Sequence, residues 1–314
     1  MITEVSCRGC WMTYQYKHEA VMFEETIEAL SIKSEGTYVD ATFGRGGHTR
    51  GILGQLGQDG QVIAFDRDQT AIEYARSEIM DHRLHLIHAN YESISKKMDK
   101  ASADGVLVDC GLSSPQLDEA GRGFSFLKDA PLDMRMDQTQ PLTAAGWLKN
   151  AQEEEIANVL YLNADERRSR RIAKAICEAR SQSEILTTKQ LSDVVQSVVR
   201  REGKTHPATK TFQAIRVFIN DEFGSLERFL EGALDVLKPG GRLVMISFHS
   251  TEHKIIKRFI QMNRPGNEDL KRGLQTLAVP RVKRIGRVIK PSLQEIRFNT
   301  RSRSAQLRIV EKIA

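Results

Sequence analysis

The sequence predicts an α/β protein in which a mostly parallel sheet with crossover helices is interrupted by a helical insert. Three observations point that way. In the first third, short β-rich runs alternate with helical stretches, the pattern of parallel strands joined by crossovers. After Asp109 the alternation stops, and about a hundred largely helical residues follow. The alternation then resumes with a long helix, a Pro-Gly-Gly turn and another β-rich run.

Taken in order, Thr37 to Phe43 (TYVDATF) is the first predicted strand, followed by a Gly-rich turn and a helix. Gln61 to Phe65 (QVIAF), Leu84 to His88 (LHLIH) and Gly105 to Asp109 (GVLVD) are the next three. Helices are expected over Thr143 to Ala151, Gln152 to Leu162, Asp165 to Ala179 and Thr187 to Arg201. Thr187 and Gln190 open the last of these with the spacing of a capping box. A helix from Thr209 to Leu237, broken near Gly224, leads to the turn Lys238-Pro239-Gly240-Gly241 and the strand Arg242 to Phe248 (RLVMISF). The layout is one domain drawn from two segments, residues 1–117 and 210–314, with a helical domain at 118–209 between them.

Composition narrows the class. With 314 residues, 40% hydrophobic and 28% charged, disorder and collagen-like repetition are excluded. No apolar run approaches the roughly 18 residues of a membrane span, and the first twelve residues carry Glu4 without an apolar core, so a cytoplasmic protein with no membrane partner is expected. Four scattered cysteines (Cys7, Cys10, Cys110, Cys177) fit a reducing compartment rather than a disulfide framework. Residues 254–314 hold 16 Lys and Arg against 4 Asp and Glu, a net of +12, which leaves −7 on the preceding residues. A basic C-terminal tail on an acidic body implies a polyanionic partner.

In an open parallel sheet, ligands bind beyond the carboxyl ends of the strands. The first strand ends Asp40-Ala-Thr-Phe-Gly44-Arg-Gly46-Gly47-His48, where glycines let a ligand approach the backbone and expose N–H groups at a helix start. A dinucleotide fingerprint needs a third Gly where Thr49 stands, which disfavours a nicotinamide-dependent oxidoreductase. Asp40 followed by the Gly loop instead resembles the S-adenosylmethionine (SAM) methyltransferases, in which an acid near the cofactor's ammonium is more useful than another phosphate-binding turn. Asp66 follows Gly46 by twenty residues, where a carboxylate accepts ribose hydroxyls. Asn90-Tyr91 after the third strand offers an amide and a ring to an adenine, and Asp109-Cys110-Gly111 closes the fourth.

Longer blocks are similar to one family, the bacterial 16S ribosomal RNA cytosine-N4 methyltransferases called RsmH or MraW. They are Tyr16-Lys-His-Glu-Ala-Val-Met22, Phe43-Gly-Arg-Gly-Gly-His48, Asp109-Cys-Gly-Leu-Ser-Ser-Pro-Gln-Leu-Asp118, Arg122-Gly-Phe-Ser-Phe126, Pro131-Leu-Asp-Met-Arg-Met-Asp137, His206-Pro-Ala-Thr-Lys-Thr-Phe-Gln213, Ser247-Phe-His-Ser250 and Asn299 to Arg308. They run in order through nearly the whole chain. The resemblance implies a Rossmann-like SAM-dependent methyltransferase domain interrupted by a helical insert domain that recognises substrate. It implies SAM contacts at Gly46, Gly47, His48, Asp66, Tyr91, Asp109 and Gln116, and a 16S rRNA or assembled small-subunit substrate modified at a decoding-centre cytidine. The chain departs from the family pattern at Tyr91 (usually Phe), Cys110 (usually Leu), Asn163-Ala164 (commonly Tyr-Gly) and His253 (commonly Asp). Family members tend to begin just before Tyr16-Lys-His, which marks Met12 as an expected start.

For chemistry, cytosine N4 has a delocalised lone pair and needs alignment with the methyl group and a nearby acceptor. The loop Asp109 to Pro115 stands where related enzymes place that acceptor, so Asp109 is the catalytic candidate as well as a cofactor contact. The target base must be unstacked or flipped. Arg281, Lys283, Arg284, Arg287, Arg301 and Arg303 are expected on phosphates. No metal is expected. Cys7-Arg-Gly-Cys10 has no second pair, and alternation sends His85 and His88 to opposite strand faces. His249 is well placed but reads first as structural, and the Arg167 to Arg171 run reads first as a solvated helix face. Two rivals stay open, a non-catalytic RNA-binding factor that keeps SAM and a DNA cytosine methyltransferase, as does the oligomeric state.

Overall fold

The computed structural model describes residues 20–201, 206–264 and 280–313. The Cys7/Cys10 pair, the expected start at Met12 and the Tyr16–Glu19 part of the first family block lie outside them. Strands β1 (Thr37–Asp40), β2 (Gln61–Asp66), β3 (Leu84–His88) and β4 (Ala103–Asp109) form where the sequence placed them. With β5 (Leu237–Ser247), β6 (Val282–Ile289) and β7 (Gln306–Lys312) they make one sheet of order β3-β2-β1-β4-β5-β7-β6. The first five are parallel, and β7 runs antiparallel to both its neighbours. This is the α/β Rossmann-like methyltransferase sheet expected from the sequence. The strand order turns back between β1 and β4, so their carboxyl ends diverge and leave a crevice there.

Helices cover both faces. On one, α1 (Phe23–Leu30) and α2 (Gly47–Leu53) bury Ile27, Leu30, Ile52 and Leu53 against Tyr38, Val62, Leu107 and Val244. On the other, α11 (Glu222–Val236) sets Leu226, Phe229, Leu230 and Leu234 against Val39, Phe65, Val106 and Met245. Helices α3 (Gln69–Glu78) and α4 (Ile94–Lys97) complete the crossovers. Burial on both faces is why β4 reads as a nearly continuous apolar run rather than an alternating one.

Between β4 and β5 the chain passes through α5 (Ser114–Asp118), α6 (Ala144–Asn150), α7 (Glu153–Ala164), α8 (Ser169–Gln182), α9 (Thr188–Val198) and α10 (Thr209–Ile219) before reaching α11. The Thr187/Gln190 capping box opens α9 as expected. Trp147, Ile156, Leu160, Ile172, Ile176, Leu191 and Val195 form a second hydrophobic cluster, which Phe212 and Ile215 of α10 join. The change from this cluster to the sheet core falls at the break between α10 and α11. That break is at Asn220–Asp221, where Asp221 takes a left-handed φ of 44°, three residues before Gly224. Gly224 lies inside α11, where a Cβ would come within 2.5 Å of Asp221 Oδ1.

Two further expectations change. Strand β5 starts at Leu237, which pairs with Ala103, and the Lys238–Gly241 turn is a bulge inside it before pairing resumes at Arg242 and Gly105. The described part of the basic tail is an integral part of the sheet: after helix α12 (Ser250–Asn263) come β6, helix α13 (Leu293–Phe298) and β7, with Leu307, Ile309 and Val310 buried. No helix among the described residues is long and apolar enough to cross a membrane.

Candidate active site

A cleft of about 350 Å³ opens at the diverging ends of β1, β2 and β4. Gly47, His48, Asp66, Tyr91, Asp109 and Gln116 all line it. Gly46 stands behind them as the N-cap of α2, with φ 71°, and a Cβ there would sit 2.6 Å from the Phe43 ring. Only glycine takes that backbone conformation without strain. The loop is fastened to β2 by the Gly44 N–H, which donates to Asp66 Oδ2 at 2.8 Å.

Each polar group in the cleft has a distinct state. His48 is 5% exposed and its Nε2 lies 3.1 Å from the Val21 carbonyl. A carbonyl only accepts, so Nε2 carries the proton, and burial pulls the ring's pKa down against the attraction of Asp40. Asp66 accepts from the N–H of Asp68 as well as that of Gly44, yet burial pushes its pKa up to about 6. The Tyr91 ring meets Phe229 edge-on with centroids 5.1 Å apart. Thr42 Oγ1 accepts from the Asp109 N–H at 2.8 Å, joining the ends of β1 and β4. Among the described residues the buried Asp109 Oδ1 has no hydrogen-bond partner, and burial, then repulsion from Asp40 and Glu252, drives the pKa of Asp109 well above the carboxylate range. A buried acceptor left in that state fits a ligand that brings an N–H donor or a positive charge.

Three expected contacts take a different form. Asp40 does not line the cleft: it is 1% exposed and accepts from Thr49 Oγ1 at 2.6 Å and the Thr42 N–H at 3.1 Å, so it braces the glycine loop. Asn90 Nδ2 donates to Ser225 Oγ and its Oδ1 accepts the Glu92 N–H, which leaves the ring of Tyr91 as the site's surface there. Gln116 accepts the Ser113 N–H at 3.0 Å and donates to Asp68 Oδ2 at 2.9 Å, which keeps one Nε2 hydrogen for a ligand. Asp68 is also bonded to Arg122 Nη1 at 2.7 Å, both side chains being about 5% exposed.

The cleft also holds residues that were not among the expected cofactor contacts. Arg216 forks onto Glu222 at 2.7 and 2.8 Å, and His249 Nε2 lies 2.8 Å from Glu252 Oε1. Burial opposes the charge of Glu252, but His249 and the Phe248 N–H at 2.7 Å outweigh it and hold the carboxyl below its ordinary pKa. Asn299 and Arg301 reach the same cleft from the C-terminal segment, Arg301 bonding Ser114 Oγ at 2.6 Å and Asp118 at 3.0 Å. His249, Asn299 and Arg301 lie in family-like blocks, a usable signal, whereas Arg216, Glu222 and Glu252 had none.

Chemically, the cleft suits binding and alignment. Cys110 lines it, but burial pushes its thiol pKa well up, so it holds no thiolate nucleophile. Among the described residues no cluster of His, Cys, Asp or Glu has the arrangement of a metal site.

Residues 15–313 match the MraW methylase family. The chain is 48% identical over 307 residues to the ribosomal RNA small subunit methyltransferase H of Alcanivorax borkumensis, covering 96% of this chain and 98% of that one. It is 47% identical over 303 residues to the protein of that name from Vesicomyosocius okutanii, covering 94% and 98%. To its namesake in Shewanella halifaxensis it is 45% identical over 312 residues, covering 96% and 99%.

Proposed function

The chain belongs to the MraW methylase family, and from that premise we propose that it methylates small-subunit ribosomal RNA with S-adenosylmethionine, at the exocyclic N4 of a decoding-centre cytidine. The observation that carries the reading is Asp109 Oδ1, without a partner among the described residues, in a cleft walled by a glycine loop, the Asp66 carboxylate and the Tyr91 ring. The phosphates of a dinucleotide are repelled by acids at such a site, whereas a ligand carrying an ammonium group is drawn to them.

The bound cofactor supplies an electrophilic methyl group on a sulfonium. The protein's part is to hold and orient. Gly46 and Gly47 let the ligand approach the backbone, His48 fixes the loop to Val21, Asp66 accepts the ribose hydroxyls, Tyr91 packs on the adenine, and Gln116 gives its spare N–H. Asp109 accepts an N–H from the cofactor, and the loop from Asp109 to Pro115 offers the acceptor for cytosine N4 as that nitrogen becomes tetrahedral and cationic. Alignment and electrostatics then supply most of the rate. The helices of residues 118–209, with α10, serve substrate recognition, and a flipped cytidine enters from their side.

The test is incubation with tritiated-methyl SAM and either assembled small subunits or naked rRNA from a strain lacking the gene, followed by nucleoside mass spectrometry. 4-Methylcytidine is the expected product. Label on another base, on DNA in preference to RNA, or nowhere while SAM still binds overturns the proposal.

A further inference from the structure

A second cavity, of about 390 Å³, lies between α12, β6 and β7 and shares no lining residue with the cleft. Five cations line it: Lys257 and Arg264 from α12 and its end, Arg284 and Arg287 from β6, and Arg308 from β7. Among the described residues no carboxylate lines it. Its floor is apolar, made by Ile260, Ile285, Val288 and Ile309.

Basic residues on an edge strand often serve only to block edge-to-edge association, and β6 is an edge. Two observations argue for more here. First, the cations that line the cavity are uncompensated. Arg281 pairs with Glu231 and Asp235, Lys283 with Glu311, and Arg301 with Asp118, whereas the five cations around the cavity have no ion pair among the described residues. Second, the strand is bent to build the cavity. Gly286 takes φ +63°, and the register with β7 shifts between Ile285 and Ile289. The usual alternation is thereby lost, and the adjacent pairs Arg284-Ile285 and Arg287-Val288 all line one cavity. Arg308 Nε is buried there without a partner, and only its Nη2 is engaged, by Gln306 at 3.0 Å. Like charges gathered over an apolar floor repel one another until an anion sits among them.

We propose that this cavity is a binding site for the phosphate backbone of the RNA substrate, its apolar floor taking the sugar or base of a nucleotide outside the methylated one. The choice of RNA as the polyanion rests on the function proposed above. The site would anchor a strand beyond the cleft and set affinity without reading sequence.

The experiment compares two double substitutions on the same strand that remove the same formal charge. Binding of a fluorescein-labelled fragment of small-subunit ribosomal RNA to the full-length protein is followed by anisotropy across a salt series. For Arg284→Gln with Arg287→Gln, affinity falls roughly tenfold at moderate salt, and the slope of log K against log salt flattens by about 1.4–1.8, two phosphate contacts' worth. For Arg281→Gln with Lys283→Gln, whose cations are already neutralised, the slope changes by less than about 0.5. Equal changes in both variants, or none in either, overturn the proposal, as does displacement of the RNA by polyglutamate as readily as by unlabelled RNA. Methyl transfer to small subunits by the unsubstituted protein is measured alongside. If transfer is absent but the variants differ as stated, the enzymatic reading falls and the polynucleotide site stands. If transfer occurs and the variants do not differ, the site falls and the enzymatic reading stands.

Discussion

Replacing Arg122 with Met tests the contact that joins the sheet to the helical segment. Arg122 Nη1 is 2.7 Å from Asp68 Oδ2, and Nη2 donates to the carbonyls of Arg135 and Met136 at 3.1 and 2.9 Å. Asp68 also caps α3, accepting from the Thr70 N–H and Oγ1, and receives Gln116 Nε2. Burial pushes the Asp68 pKa up, but the Gln116 and Arg122 bonds outweigh it and hold the carboxyl below its usual value. Removing one member of so buried a pair costs about 3–5 kcal/mol, since the carboxylate stays in place with its charge uncompensated. At ~2–4 °C per kcal/mol this lowers Tm by roughly 6–20 °C. Because Asp68 is held below its ordinary pKa, the stabilisation is present above about pH 4 and lost as pH falls through the folded value, so the two proteins converge in acid. Adding Asp68→Asn to Arg122→Met should cost less than the sum of the single changes. Thermal and urea unfolding at pH 7.5 and in steps from pH 4 down to about pH 2 measure all of this. A loss under about 1 kcal/mol, or strict additivity, refutes the view that this pair holds the two parts together.

Cofactor affinity should fall by up to about tenfold per pH unit below about pH 6, because Asp66, raised to about 6, becomes protonated there and stops accepting both hydroxyls. Calorimetry checks this, and Asp66→Asn should bind weakly and without that pH dependence. Gly46→Ala should cost about 1–2 kcal/mol for the left-handed backbone alone, and the approach of its Cβ to Phe43 should weaken cofactor binding further; unchanged affinity and Tm would show that the loop needs no glycine at this position. Thr187→Ala removes the α9 cap, in which Thr187 Oγ1 accepts the Gln190 N–H, and should lower stability by about 1 kcal/mol while leaving cofactor affinity untouched. A change in cofactor affinity there would mean that α9 is coupled to the cleft.

What could be read locally was read well. The four N-terminal strands and the α9 capping box follow from side-chain period and from contacts three residues apart, and these survive in a linear sequence. Strands β6 and β7 are harder to see, since β6 is a charged, bulged edge and reads as a solvated basic stretch. The helix break expected near Gly224 is fixed at Asn220, whose side chain bonds the Met136 N–H and the Met134 carbonyl. Those partners lie more than eighty residues away.

The sequence by itself determined the five parallel strands, the glycine loop and the acids at the strand ends, because each is set by local composition or by one residue's backbone freedom. It did not decide which acid faces the cleft. Asp40 and Asp109 look alike in sequence, each closing an apolar strand. Only the folded chain supplies Thr42 and Thr49 as donors that satisfy Asp40, and leaves Asp109 Oδ1 with none. The tertiary structure likewise brought Arg216, Glu222 and Glu252 to the cleft and divided the cations near the C-terminus into paired and unpaired. Hydrogen-bond satisfaction and charge compensation depend on distances between segments remote in sequence, and those distances exist only after the sheet and the helices have packed.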